Sequence, residues 1–258
     1  MAGGGFAKGG ESRAAMGFYG TNVGYDRTFS FGDDSLIIGA MAGFGGSNYY
    51  AKSLNDIAKV VNLGLYGLYQ KGNNEIQSNL SFSMIMGERA LSGVLGSENL
   101  KASSLGVLSH TYYKYRFVLK KGERFDSILK PVGLLSVGHN GIGAYTGTNY
   151  KQHALNAFNL GLGAGVEYAL LGRKQSYTLS FLARQNVYSS ADQIFVSLSN
   201  AQNSIGYELN PINLTFQLGF MGSAQLGRGF TLQYGLAGTA DIKGGYGGKA
   251  DVKLEYKF

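Results

Sequence analysis

The side chains best suited to proton transfer in this sequence are three histidines, His110, His139 and His153. None stands in a pattern that catalysis would need, because no Ser/His/Asp constellation and no carboxylate pair surrounds them. His139-Asn140-Gly141, beside a polar stretch, is the one step that invites a hydrolytic reading of the protease or phospholipase kind. A solitary histidine at such a place is ordinarily inert. The chain has no cysteine, which removes thiol nucleophiles, disulfides and Cys-based metal sites. Gly161-Leu162-Gly163-Ala164-Gly165 is glycine-rich, yet it lies inside an alternating segment where glycine relieves crowding, and no nucleotide motif is present. The net charge of +7 is spread along the chain without a block of like charges. Scattered, solvated Lys and Arg are the plain reading, so neither a cofactor nor a nucleic-acid partner is expected.

What remains are charges that alternate with apolar residues. In the last ten residues Ala250, Val252, Leu254, Tyr256 and Phe258 fall on one face and Lys249, Asp251, Lys253, Glu255 and Lys257 on the other. Successive side chains of a strand point to opposite sides, so this pattern specifies a β-strand and excludes an amphipathic helix. The same alternation places Asp26, Lys114, Arg116, Glu167, Arg184 and Asp241 opposite apolar rows.

The elements that carry these residues read as a succession of hairpins. Tyr19 to Phe31 alternates, followed by a turn at Gly32-Asp33-Asp34 and a strand through Leu36, Ile38, Ala40, Ala42 and Phe44. Lys71-Gly72-Asn73-Asn74, Lys120-Lys121-Gly122-Glu123, Leu171-Gly172-Arg173-Lys174 and Gly227-Arg228-Gly229 are further tight turns. Longer polar loops are expected at about Gly45 to Asp56, Leu91 to Asn99, Gly138 to Lys151 and Ser189 to Asn210. Gly244-Gly245-Tyr246-Gly247 precedes the last strand, and Phe6-Ala7-Lys8 reads as a short first one. The chain holds 41 glycines, 18 tyrosines and 15 phenylalanines but only Pro131 and Pro211, which suits long uninterrupted strands rather than disorder.

Long strands, short turns at one end and long loops at the other describe an all-β chain, a transmembrane antiparallel barrel of the outer-membrane type with about twelve strands. A sandwich of this length would have shorter strands and more proline-containing turns. The opposite face of Gly, Ser, Thr, Asn, Gln and charge cannot form a dry core, whereas a closed barrel leaves no unpaired edge in lipid. Residues 1–258 read as one domain, with an even strand number leaving both termini on the short-turn, periplasmic side. No apolar run reaches the ~18 residues of a membrane helix, and Met1-Ala2-Gly3-Gly4-Gly5 is not a signal peptide.

The chain resembles a known family, the C-terminal translocator (β-domain) of autotransporters, the type V secretion proteins. The likeness spans nearly all of it. It is carried by Gly24-Tyr25-Asp26, by Ala224-Gln225-Leu226-Gly227-Arg228-Gly229-Phe230, and by the glycine-rich run before Ala250-Asp251-Val252-Lys253-Leu254-Glu255-Tyr256-Lys257-Phe258. Leu129-Lys130-Pro131 resembles the family's aromatic/aliphatic-Glu-Pro step, with Lys130 where an acid is usual, and Phe6 stands where the family tends to carry Trp. Glycine/alanine spacing and the lack of Trp look most like vacuolating-toxin-like members.

The resemblance implies an outer-membrane barrel whose pore is crossed by a helical linker. Its partners would be outer-membrane lipid, the barrel-assembly machinery and its own N-terminal passenger, which it delivers to the cell surface without enzymatic action. Phe258, Tyr256 and Leu254 would then be the assembly signal. Asp26, Lys114, Arg116, Glu167, Arg184, Asp241, Lys249, Lys253, Glu255 and Lys257 would line a wet lumen, gripping a linker, setting ion preference or simply solvating the bore. Tyr113, Tyr115, Tyr168, Tyr177 and Phe230, with Tyr256, are expected to form an aromatic girdle at the membrane boundary. A free-standing porin is the alternative. Some family members cleave their own passenger at an asparagine inside the barrel, a junction that would lie upstream of this chain.

Overall fold

A computed structural model describes residues 2–9, 12–51, 54–93, 96–148, 150–191, 193–198, 204–208, 213–227 and 229–256. The wall is built from β1 (Ala2–Gly9), β2 (Ser12–Phe31), β3 (Asp34–Ala51), β4 (Leu54–Lys71), β5 (Asn74–Gly93) and β6 (Gly96–Tyr115). After a break at Arg116, β7 (Phe117–Lys120) continues the line of β6 and is followed by β8 (Asp126–Ile142). Two short strands, β9 (Tyr145–Thr146) and β10 (Tyr150–Gln152), precede β11 (Leu155–Leu171) and β12 (Gln175–Ser189). Then come β13 (Gln193–Leu198), β14 (Ser204–Glu208), β15 (Leu214–Gln225), β16 (Phe230–Asp241) and β17 (Tyr246–Tyr256).

Each wall strand pairs antiparallel with its neighbours, in the order β11-β12-β15-β16-β17-β1-β2-β3-β4-β5-β6-β8, and the pairing of β8 with β11 returns the sheet to its start. Twelve strands therefore close into a barrel among the described residues. β1 joins β17 from Ala2↔Ala250 to Phe6↔Tyr246, so it meets both neighbours in the half of the wall away from the short turns.

The turns that the sequence marks as tight all fall at one end, the short-turn end, at residues 32–33, 72–73, 121–125, 172–174 and about 226–229. Two of them leave only two residues between strands, and both open on a glycine with positive φ, 63° at Gly32 and 55° at Gly72. That conformation matches the right-handed twist of the flanking strands, and a side chain would strain it.

At the other end the strands outrun the alternating pattern. Gly45–Ala51 and Leu54–Asp56, expected in a loop, continue the β3/β4 ladder up to Ala51↔Leu54. Leu91 to Asn99 likewise closes the β5/β6 ladder, with Gly93↔Gly96 as its last pair. Strict alternation stops in these segments while the backbone bonds of both ladders continue. The two longest expected loops also hold strands. β8 runs on to Ile142, and β14-β13-β10-β9 forms a separate four-stranded sheet. β9 of that sheet lies beside β6, and just before it the Gly143 N–H donates to the Ser103 carbonyl at 2.9 Å. Tyr246 and Gly247 belong to β17 rather than to the turn before it.

Outward residues form the oily band that the alternation demanded. Val23, Phe44, Leu105 and Val252 keep between 63% and 78% of their surface exposed. The inner face is less uniformly polar than composition implied, because Ile128, Val132 and Leu134 of β8 point inward and are buried. β11 supplies the room: a Cβ at Gly163 would crowd Leu134, and one at Gly165 would meet the backbone of β12 and the Leu182 side chain.

Candidate functional site: the barrel interior and the C-terminal strand

Four inward charges are paired with one another in the bore. Lys114 Nζ lies 2.8 Å from Glu167 Oε1 and 3.7 Å from Glu75 Oε1, and Lys130 Nζ lies 2.8 Å from Glu75 Oε2. These side chains come from β5, β6, β8 and β11, four neighbouring strands, and retain only 11–19% of their surface. Two cations against two carboxylates satisfy each other where lumen water is partly excluded, a setting in which an unpaired charge is costly. Arg116, in the break between β6 and β7, adds its charge to those acting on Glu75. Its N–H donates to the Asn73 carbonyl at 2.8 Å and ties that break to the next turn.

A second inward contact crosses a strand. Asp26 of β2, Gly39 of β3 and Tyr66 of β4 occupy one rung. The Tyr66 hydroxyl reaches over Gly39 and donates to Asp26 Oδ2 at 2.6 Å. A Cβ on Gly39 would overlap the tyrosine ring, so glycine is required here for close approach. Gly39→Val is expected to lower the stability of the folded barrel by roughly 2–3 kcal/mol, read as a lower temperature for losing the compact species on heat-modifiability gels. Gly67→Ala has ordinary space around its Cβ and should leave that temperature unchanged.

The remaining lumen candidates divide. Lys253 lies 3.6 Å from Glu255, which also accepts from Gln233 Nε2 at 3.0 Å. Arg184 and Lys249 are exposed on inward register positions. Asp241 serves the hairpin at the top of β16, where its Oδ1 accepts from the N–H groups of Lys243 and Gly245 at 2.8 and 3.0 Å. Lys257 and Phe258 lie outside the described residues. Leu254 and Tyr256 are outward and exposed on β17, and Tyr256 packs its ring on Phe230 at 4.6 Å.

All five of the expected boundary aromatics sit within a few residues of the short-turn end. Tyr113, Tyr168 and Phe230 are exposed outward, and Tyr115 and Tyr177 are half-buried. The belt is fuller than the sequence pattern showed. Phe125, Tyr177, Phe220 and Tyr234 follow one another at 6.0, 6.4 and 6.4 Å, and Tyr115 meets Phe117 at 4.8 Å.

The histidines are dispersed. His110 faces the lumen, and its backbone N–H, not its ring, donates to Asn79 Oδ1 at 3.3 Å. His139, expected in a loop, is an exposed strand residue of β8 on the outward rung between Val107 and Phe158. His153 lies between β10 and β11. No group of three His, Asp or Glu side chains that could hold a metal occurs among the described residues.

Glu75, Lys130 and Tyr66 are the site residues that sequence reasoning passed over. Glu75 stands two residues before Gln77 and shares the inward face with it and Asn79. Its partner Lys130 is 55 positions away, and only the β5–β6–β8 order brings the two together. Lys130 marked itself by standing where the resembled family carries an acid. In this chain Lys130 pairs with Glu75.

A closed antiparallel barrel with an apolar outer band, paired charges inside and an aromatic belt at one end is a membrane β-barrel of the bacterial outer-membrane type. The chain belongs to the family described as vacuolating cytotoxin autotransporter VacA, C-terminal domain, which matches residues 2–258. It is an autotransporter translocator domain, the barrel through which a passenger is secreted. Its fold is similar to that of the translocator domain of autotransporter NalP from Neisseria meningitidis (TM-score 0.73, 15% identity, 100% of this chain and 85% of that one). It is similar also to the transport unit of the autotransporter AIDA-I from Escherichia coli (TM-score 0.72, 12% identity, 100% and 88%). The β domain of the Bordetella autotransporter Brka superposes with TM-score 0.68 at 14% identity over 100% and 97% of the two chains. No curated protein sequence matches the chain.

Proposed function

We propose that residues 1–258 form one non-enzymatic translocator unit, which anchors an N-terminal passenger in the outer membrane and conducts it to the cell surface. The observation that carries this reading is the closed barrel with a lipid-compatible exterior and a charged interior, in a chain of autotransporter family membership. The short-turn end faces the periplasm and the tall strand ends with their β14-β13-β10-β9 sheet face outward, the polarity of bacterial barrels with short periplasmic turns and long external loops. β17 ends at Tyr256 on the short-turn side, paired with Phe230 beside the turn at 226–229. There Leu254 and Tyr256 are exposed on the outer face, and together with Phe258 they would serve the barrel-assembly machinery as a C-terminal signal. The lumen charges hold a linker or solvate the bore, and no step of the proposed role calls on a histidine.

Removing Phe258 tests the signal. The expected outcome is loss of the heat-modifiable barrel species in membranes, with unassembled chain accumulating in the periplasm. Normal assembly after that deletion, or after Tyr256→Ala with Leu254→Ala, would sink the assignment of this strand end. Single-channel conductance separates the porin alternative, which requires a stable open pore in the isolated barrel without any passenger segment.

A further inference from the structure

The charge at the short-turn end is lopsided. The turns at 121–125 and 172–174 are neighbours, because β8 pairs with β11 down to Asp126↔Leu171. They also touch: a Cβ on Gly172 would overlap the Phe125 ring and crowd the Arg124 carbonyl. This corner exposes Lys120, Lys121, Arg124, Arg173 and Lys174. Only Glu123 and Asp126 oppose them, and Asp126 Oδ1 already accepts from the Gly122 N–H at 3.2 Å. Across the barrel, the turn at 32–33 is acidic instead, with Asp33 followed by Asp34, which lies 3.8 Å from Lys71.

The corner also carries oil. β7 is bonded to β8 alone, and Phe117, on the outward side opposite Leu129, and Leu119 keep 48% and 57% of their surface exposed just before Lys120. Arg124 lies over the Phe125 ring at 5.4 Å, and Phe125 leads into the aromatic belt through Tyr177. Cations set beside exposed apolar and aromatic side chains match the boundary between acyl chains and headgroups, where long basic side chains reach the phosphates. An acidic soluble partner would explain the cations but not the apolar strand or its continuity with the belt.

We propose that the paired turns form a docking site for anionic phospholipid, with headgroup phosphates of the adjacent leaflet held by Lys120, Lys121, Arg124, Arg173 and Lys174. Only one side of the rim carries the site. This inference rests on the membrane-barrel reading but not on which leaflet the short turns face.

The test uses the full chain folded into nanodiscs of phosphatidylcholine with or without phosphatidylglycerol, both leaflets alike, followed by mass spectrometry of lipid retained on gentle detergent release. The wild-type barrel is expected to retain phosphatidylglycerol selectively. The variant with K120Q, K121Q, R124Q, R173Q and K174Q should lose about tenfold or more of that retention. A control with K59Q, K101Q and K243Q, near the opposite end, should keep it. Equal retention by the two variants overturns the proposal, as does equal loss. Displacement of the lipid by inorganic phosphate or an acidic peptide at matched charge concentration would assign the corner to a soluble anion and overturn it as well. Failure of the wild-type chain to give a heat-modifiable species in either nanodisc would count against the barrel reading, a result distinguishable from loss of lipid selectivity in a folded barrel.

Discussion

Leu218→Arg is expected to destabilise the folded barrel by about 2–4 kcal/mol, the usual cost of arginine on the lipid face near mid-membrane, whereas Gln217→Arg, one residue earlier, should cost little. Leu218 keeps 57% of its surface exposed and pairs outward with Phe181 and Gly238. It lies seven positions from the end of β15 at Gln225, near the middle of a strand long enough to span the hydrocarbon. Gln217 faces the bore between Leu182 and Thr239, where a guanidinium can reach lumen water. Denaturant titration of both variants in lipid vesicles, by tyrosine fluorescence and gel mobility, reads the difference. Equal tolerance of the two would mean that the outer face does not meet lipid.

The second large effect belongs to the ionic quartet. Glu75→Gln removes the carboxylate that Lys130 contacts at 2.8 Å and weakens the surroundings of Lys114. A loss of roughly 2–3 kcal/mol is expected. That is below the ~3–5 kcal/mol typical of a dry buried pair, because Lys130 and Glu167 keep 16% and 19% of their side-chain surface. Lys130→Met should cost less, since Glu75 keeps Lys114 as a partner. The double variant should be more stable than Glu75→Gln alone, with a coupling of about 1 kcal/mol or more in a double-mutant cycle. Strict additivity would show that the four side chains are solvated individually and that lumen water, not their contacts, satisfies them.

Much of this was legible before any coordinates, and the reason is the pleat. A strand with one face in oil and the other in water writes a period of two into its sequence. That pattern gave the twelve strands, the outward rows and the inward assignment of Asp26, Lys114 and Glu167. It failed where its cause failed. Gly45 to Asp56 and Leu91 to Asn99 lack strict apolar/polar alternation, so nothing in their residue order distinguishes a ladder from a loop. His139 was misplaced for the same reason, since it sits just past Val137 where the outward row loses its apolar character. Contacts across strands were unreadable for a different reason. Alternation gives the face of a residue but not its rung, so Tyr66 over Gly39 and Lys130 against Glu75 emerge only once register and strand order are fixed. The basic corner depends on β8 lying beside β11, which closure of the barrel, not any local signal, brings about.

The central claim is that this barrel delivers what precedes it to the cell surface, and it is tested most directly by display. A signal peptide, a reporter domain and a short helical linker are placed before residue 1, and intact cells are treated with external protease. The account predicts that the reporter is digested in intact cells, and that its digestion disappears when Phe258 is removed and the heat-modifiable barrel is lost. A barrel that assembles normally while the reporter remains protected inside the cell would contradict it.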